Sequence, residues 1–348
     1  MIDLRSDTCT LPTPRMRRAI VAAPLGNDEF GEDPTVNRLE RMAADRVGMD
    51  AACLMPSGTM ANLAAILAHA PRGSSILVGD ESDIYLYEAA GASVCGGIGY
   101  VPVPNQPDGT LRAADVLAAF PDDPDDPQFA TPALLCLENT HNRCGGVILD
   151  PGYVRGMADL AHRRGIALHL DGARLFNAAV GLGVPAATLT AGCDSVQFCL
   201  SKGLCAPVGS VVAGPAPFVA RVRRIRRMLG GGMRQAGVVA AAGVVALDEM
   251  VDRLAEDHAN ARRLAEGLAR VPGLAVDPVH TNIVLFRVAD ERYPWPALVA
   301  AAGEAGVALG GFGHARIRAV THAGVDAAGV EEAVAVIARV LAREPVAT

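Results

Sequence analysis

The sequence predicts an α/β protein: a large domain on a mostly parallel, mixed sheet flanked by helices, then a smaller C-terminal α+β domain. Three observations predict it. The chain has 348 residues, enough for one large domain and a second, smaller one. From about residue 50 to residue 215, short apolar runs alternate with longer helical patterns, as expected of parallel strands joined by crossover helices. Beyond a long Ala-rich stretch the texture changes to short strands and helices. The boundary is therefore placed at 247/248, with an N-terminal segment and large domain over 1–247 and a small domain over 248–348.

Composition narrows the function classes. Apolar residues make up 51% and charged residues 20% of the chain, so long disordered spans are not expected. A net charge of -7 argues against a nucleic-acid partner, because phosphate-backbone affinity needs clustered cations. Arg221, Arg223, Arg224, Arg226 and Arg227 do cluster, and they read as a solvated helix face or a subunit contact. The start, Met1 to Asp7, lacks the apolar core of a secretory signal. No apolar run reaches the ~20 residues of a membrane span. A cytoplasmic protein without a membrane partner is expected. None of the eight cysteines forms a C-x-x-C pair and the eight histidines show no H-E-x-x-H. Reduced core thiols and no metal are the expectation.

Taken in order, the elements begin with a helix over Met60 to His69, entered through Pro56-Ser57-Gly58-Thr59. Strands follow at Ser75 to Val78, Leu134 to Leu137, Ala167 to Leu170, Ser195 to Leu200 and Ser210 to Ala213. The stretch Pro121 to Pro127 alternates prolines with acid pairs and reads as a solvated loop. Helical patterning runs from Ala236 to Leu247 and on through Leu268. In the small domain, strands are expected within Val276 to Val288 and at Ile317 to Val320, with helices over Pro296 to Ala305 and Val330 to Leu341.

Open α/β sheets bind ligands at the C-terminal ends of their strands. Here those ends are followed by Glu138-Asn139-Thr140-His141-Asn142, Asp171-Gly172-Ala173-Arg174 and Ser201-Lys202-Gly203. A lysine at a strand end is ordinarily a surface residue, and an aspartate there is ordinarily a turn or cap. Together they suit pyridoxal phosphate, which needs a lysine imine at its aldehyde carbon and an acid beside its ring nitrogen. Ser57, Gly58 and Thr59 supply what its phosphate needs: close backbone approach, free N–H groups at a helix start, and hydroxyls. They are equally what any helix N-cap uses. Arg174 reads either as a cofactor contact or as an ordinary ion pair. The run Gly230-Gly231-Gly232 positions Arg234 closely, with phosphate as its first assignment. Arg318 lies in an apolar strand pattern, where a substrate carboxylate provides the missing partner.

These residues resemble the low-specificity L-threonine aldolases, fold type I pyridoxal-phosphate enzymes of the aspartate-aminotransferase-like fold. The marks are Asp3-Leu4-Arg5-Ser6-Asp7-Thr8, Asp33-Pro34-Thr35-Val36, Ser57-Gly58-Thr59, Glu138 to Asn142, Asp171 to Arg174, Ser201-Lys202-Gly203-Leu204, Gly230 to Gln235 and Val320-Thr321-His322. The resemblance implies a homotetramer, a dimer of dimers, whose sites take residues from a neighbouring chain. It implies Lys202 as the imine lysine, Asp171 at the ring nitrogen, and Gly58 and Thr59 at the phosphate. Ser6, Arg174 and Arg318 then take the substrate carboxylate. The implied reaction cleaves the Cα–Cβ bond of a β-hydroxy amino acid, releasing an aldehyde and glycine. A histidine near Cβ suits the base that removes the hydroxyl proton, and His141 is the candidate.

Two positions depart from the family. Asp83 stands where a histidine usually stacks over the cofactor, and Phe30 stands where tyrosine is common. Both belong, with Tyr87, to the expected substrate end. The leading expectation is reversible cleavage of L-threonine or L-allo-threonine. The alternatives are a related aldolase or transaldolase with another aldehyde, or a β-eliminating lyase.

Overall fold

The computed structural model describes residues 1–123, 126–289 and 294–342. Pro124 and Asp125 of the expected acidic loop lie outside the described residues. The strands are β1 (Ile2–Asp3), β2 (Ala51–Met55), β3 (Ser75–Gly79), β4 (Gly99–Val103), β5 (Pro132–Glu138), β6 (Ala167–Asp171), β7 (Ser195–Cys199) and β8 (Ser210–Gly214). Five more follow: β9 (Leu274–Val276), β10 (Ile283–Val288), β11 (Val307–Ala308), β12 (Gly310–Gly311) and β13 (Ile317–Val320).

A seven-stranded sheet has the order β2-β8-β7-β6-β5-β3-β4. Only β8 runs against its neighbours, β2 and β7; the remaining pairings are parallel. Strands β2 and β4 were absent from the expected set. β4 carries Pro102, which lacks an N–H and argues against a central strand. At the sheet edge that donor has no ladder to join, so the proline is tolerated. β2 reads Ala-Ala-Cys-Leu-Met, with no β-branched residue to mark it.

Helices Pro34–Val47, Gly58–His69, Pro151–Arg163, Leu175–Leu182, Ala216–Met228 and Gly237–Val245 cover this sheet. The expected long helix is interrupted by a π-helical turn at Ala246–Met250 before Leu254–Ala269 begins. Helix Ala216–Met228 is not simply a solvated basic face. Arg226 is buried, donating to Asp28 Oδ2 at 2.7 Å and to the Leu54 carbonyl at 2.8 Å, while Arg223 pairs with Glu40. Both tie the helix to the end of β2.

The second sheet has the order β12-β13-β10-β9, and β1 pairs with β11 in parallel. Leu4 therefore joins an apolar cluster with Leu264, Phe286, Leu298, Ile317 and Ile337, separate from the main cluster around β5, β6 and β7. The N-terminal strand belongs by packing to this second core, although the next residues run back to the large sheet. Thr10 Oγ1 donates to the Lys202 carbonyl at 2.8 Å.

The Asp33-Pro34-Thr35-Val36 motif has a structural explanation. Fully buried Asp33 caps helix Pro34–Val47, its Oδ1 accepting from Thr35 and Val36 N–H at 3.0 Å each. Its Oδ2 accepts from Gly26 and Gly237 N–H at 3.2 and 2.9 Å. A Cβ at Gly237 would fall 2.5 Å from this carboxylate, which explains glycine there. Asp33→Ala should lower unfolding stability by roughly 2–4 kcal/mol, through loss of the cap and of two buried acceptor contacts. Urea unfolding checks this, and a loss below about 1 kcal/mol would contradict the capping role.

Candidate active site

The parallel strands β5, β6 and β7 bring Glu138, Asp171 and Gln197 into one row, paired Glu138 to Asp171 and Asp171 to Gln197. Asp171 is buried and accepts three hydrogen bonds: Gln197 Nε2 at 2.5 Å, Asn62 Nδ2 at 2.8 Å and the Ala173 N–H at 3.0 Å. Burial pushes its carboxyl above the ordinary range, against the opposing pull of Lys202 and these donors. Such a carboxylate is primed for a cationic ligand group.

Above this row lies a cavity of about 260 Å³. Ser57, Gly58 and Thr59 line one side, Asp171, Ala173 and Gln197 the floor, and Lys202 the end of β7; Asp83, Tyr87 and Glu88 close the far wall. Ser57 caps helix Gly58–His69 by accepting from Met60 N–H at 3.2 Å. That leaves the Gly58 and Thr59 N–H groups at the helix start, where an anion is favoured. A Cβ at Gly58 would come 2.9 Å from Cys199 Sγ, so glycine lets the helix start sit down on β7. Lys202 is the chain's only lysine; all its other basic side chains among the 31 Lys and Arg are arginines. An amine, a donor-supported acid and an anion-binding helix start on one cavity fit pyridoxal phosphate. A larger cavity of about 560 Å³, bordered by Glu81, Arg143, His280 and Arg316, has no amine and no helix start.

Beside the cavity stand two guanidinium groups. Arg174 is buried and donates through Nε and Nη2 to both oxygens of Asp7, at 2.8 and 2.7 Å. Burial would raise the Asp7 carboxyl, but Arg174 overrides it and holds it well below the usual range. Arg318 donates through Nη1 to Asn142 Oδ1 at 2.9 Å and through Nη2 to the Arg5 carbonyl at 3.2 Å. Its guanidinium lies 4.4 Å from the centre of the Phe312 ring. Among the described residues no carboxylate is in ion-pair contact with Arg318, and its buried Nε is unpartnered. Burial, and then Arg174, lower its pKa; an anion between the two arginines relieves both. Ser6 sits between Arg5, which Arg318 contacts, and Asp7, which Arg174 contacts. Its Oγ accepts from Thr8 Oγ1 at 2.9 Å.

Six expected residues are absent from the cavity lining: Ser6, Arg174 and Arg318 stand beside it, and His141, Arg234 and Phe30 are held elsewhere. His141 is buried with both ring nitrogens unpartnered, and burial pushes its pKa down to about 4. Its backbone N–H bonds Val147 O at 2.9 Å, and its side chain lies under Gly109. The turn delivers Asn142 instead, whose Nδ2 donates to Asp83 Oδ1 at 3.0 Å while its Oδ1 accepts from Arg318. Arg234 is exposed and paired with Glu29, and Phe30 is 73% exposed. The glycine run before Arg234 does pack on the phosphate helix, with Gly231 against Met60. Tyr87 lines the cavity as expected, its hydroxyl accepting from Arg143 Nη1 at 2.7 Å.

Asn62, Gln197 and Glu88 were not singled out, and Asn142 and Asp7 stood in the quoted motifs without a role of their own. A signal existed for two of them: Gln197 is polar within an apolar strand, and Asn62 within an apolar helix. Asp7→Asn should destabilise the fold by roughly 3–5 kcal/mol, because it leaves the buried Arg174 charge uncompensated. Since the Asp7 pKa is depressed, the pair's contribution is present above the unfolded value of about 3.9 and is lost only in stronger acid. The deficit of the variant in urea unfolding should therefore stay constant from pH 5 to pH 8.

Comparison with known proteins shows the family and the fold. Residues 3–291 match the beta-eliminating lyase family. The low specificity L-threonine aldolase of Escherichia coli (strain K12) is 47% identical over 292 residues, covering 84% of this chain and 86% of that protein. Low-specificity L-threonine aldolase 1 of Arabidopsis thaliana is 43% identical over 325 residues, covering 92% and 91%. Among solved structures, the Leishmania major threonine aldolase superposes with a TM-score of 0.83 at 18% identity, covering 98% of this chain and all of that one. The fold is that of the type I pyridoxal-phosphate enzymes.

Proposed function

Because the chain belongs to the low-specificity L-threonine aldolase family, we propose that it cleaves L-threonine, L-allo-threonine and related β-hydroxy-α-amino acids to glycine and an aldehyde, reversibly. The observation that carries this reading is the meeting of the only lysine, the donor-supported Asp171 and the Ser57-Gly58-Thr59 helix start on one cavity. When bound, pyridoxal phosphate would supply a protonated ring able to take up the electron pair left at Cα when the Cα–Cβ bond breaks.

The chain's own groups divide the remaining work. Lys202 Nζ would hold the cofactor between turnovers and, once displaced by substrate, is the amine able to return a proton to Cα. Asp171 would keep the ring nitrogen protonated. Gly58 and Thr59 N–H would hold the phosphate, with Ser57 and Thr59 hydroxyls as further donors. Arg318 and Arg174 would clamp the substrate carboxylate, with Ser6 between them, which fixes Cα relative to Asp171. For the β-hydroxyl proton we assign Asp83 Oδ2 in place of His141, since Asp83 lines the cavity and Asn142 holds its carboxylate in position.

A second reading, a related aldolase with a different aldehyde, is favoured by the same carboxylate. Asp83 prefers a side chain that offers a hydrogen-bond donor over a purely apolar one. We also read the chain as a cytoplasmic homotetramer divided at 247/248. In support, its eight cysteines are unpaired, and Phe30, Leu11 and Val21 expose apolar surface. Phe30 and Arg234, which stand clear of their own chain's cavity, would then lie at contacts between copies. The two apolar clusters support a division into two units, with the main cluster running on through Leu254 and the second taking in Leu4.

The holoprotein should show a visible absorption band that Lys202→Ala lacks, with turnover lowered at least about a thousandfold. A band and rate unchanged by that substitution would overturn the cofactor assignment. Asp83→Asn should lower kcat for threonine about a hundredfold, as loss of a general base does. Aldehyde release from a panel of β-hydroxy amino acids measures this and decides between the two readings; an unchanged rate removes Asp83 from the mechanism.

A further inference from the structure

The Asn62 amide has no freedom left. Its Oδ1 contacts His169 Nε2 at 3.1 Å, and its Nδ2 donates both to Asp171 Oδ2 and to Glu88 Oε1, at 2.8 Å each. Because Nδ2 serves two carboxyl groups, Oδ1 must be the acceptor, which puts the His169 proton on Nε2. His169 Nδ1 then accepts from Ser195 Oγ at 2.8 Å, and Ser195 Oγ accepts from His69 Nε2 at 2.8 Å. The chain of bonds locks the amide against rotation. Two acids thus share one NH2 group, and they are unequally served. Asp171 has three donors, whereas Glu88 has this one.

We propose that Glu88 is a positioning residue of the cofactor end, held as a neutral acid whose proton sits on Oε2 and whose Oε1 anchors the Asn62 amide against Asp171. With Glu88 neutral, of the two carboxyl groups on the Asn62 amide only Asp171 is charged, and Asn62 is not drawn away from it. The balance of groups facing Glu88 favours this form. Burial comes first, then Asp171; Asp83 also disfavours its ionisation, while Asn62 and Lys202 oppose. Tyr100 on β4 and Cys136 on β5 are weak acids that Glu88 in turn makes harder to ionise, so neither supplies a countercharge. This inference rests on the reading that Asp171 faces the cofactor ring nitrogen.

Glutamine preserves a neutral Oε1 acceptor and alanine removes it. By equilibrium dialysis at pH 7, Glu88→Gln should bind pyridoxal phosphate within about threefold of the parent, and Glu88→Ala at least about tenfold more weakly. A second measurement needs no cofactor. A carboxyl whose folded pKa is raised contributes stability below its unfolded pKa and loses it as pH rises towards the folded value. The unfolding midpoint of cofactor-free Glu88→Gln, relative to the parent, should therefore climb by several degrees from about pH 5 to pH 8. A midpoint difference that is flat with pH, or a glutamine variant that binds as weakly as alanine, overturns the neutral acid. A parent that takes up no pyridoxal phosphate overturns the reading of the site and this role with it. If Glu88→Ala does not fold, the glutamine variant alone decides: a flat midpoint difference, or binding at least about tenfold weaker than the parent, overturns the neutral acid.

Discussion

The Asp171 carboxylate is enclosed at the end of β6, and its neighbours are arranged to keep it charged there. β7 contributes Gln197, the helix that starts at Gly58 contributes Asn62, and the turn after β6 contributes the Ala173 N–H. Each donor comes from a different element. The strand register and the seating of that helix must therefore be correct together, or the acid is left with a desolvation cost it cannot offset. Gly58 permits the helix to approach β7. In this sense Asp171 and the helix start at Gly58 are one structural unit, joined through Asn62.

A second unit sets the positions of Arg174 and Arg318. The N-terminal strand pairs with β11, Leu4 packs into the small-domain core, and Asp7 then pairs with Arg174 beneath the large sheet's edge. His322 Nε2 contacts Asp3 O at 2.8 Å, and Asn282 donates to Asp7 at 3.2 Å. One short segment thus references Arg174 and Arg318 to each other, although they belong to different sheets. Two guanidinium groups with one shared carboxylate nearby leave an electropositive gap of the kind that suits a substrate carboxylate.

Strand-end residues were the legible part of the site. Lys202, Asp171 and Ser57-Gly58-Thr59 announce themselves because a parallel sheet must deliver its strand ends to one edge, and chain order reports which residues those are. Contacts between distant elements were not legible. Asn62 and Asp171 are 109 positions apart, and nothing in either local pattern says that they touch. The choice between His141 and Asn142 is of the same kind: they are adjacent in one turn, yet His141 pairs with Val147 while Asn142 reaches Asp83 and Arg318. In the fold, the expected strands β5, β6, β7, β8 and β13 lie close to their expected bounds. The omitted β4 reflects a proline whose cost vanishes at an edge.

The solitary lysine has a chemical consequence beyond the cofactor role proposed for it. Aldehydes condense with unprotonated primary amines to form imines with loss of water, whereas a guanidinium stays protonated at any physiological pH and is a poor nucleophile. A chain that is basic almost wholly through arginine offers its own aldehyde product no surface lysine to cross-link or cap. Amine-selective reagents should meet one side chain in the folded molecule, half-buried in the cavity. The extent of their reaction there becomes a direct count of sites that lack cofactor.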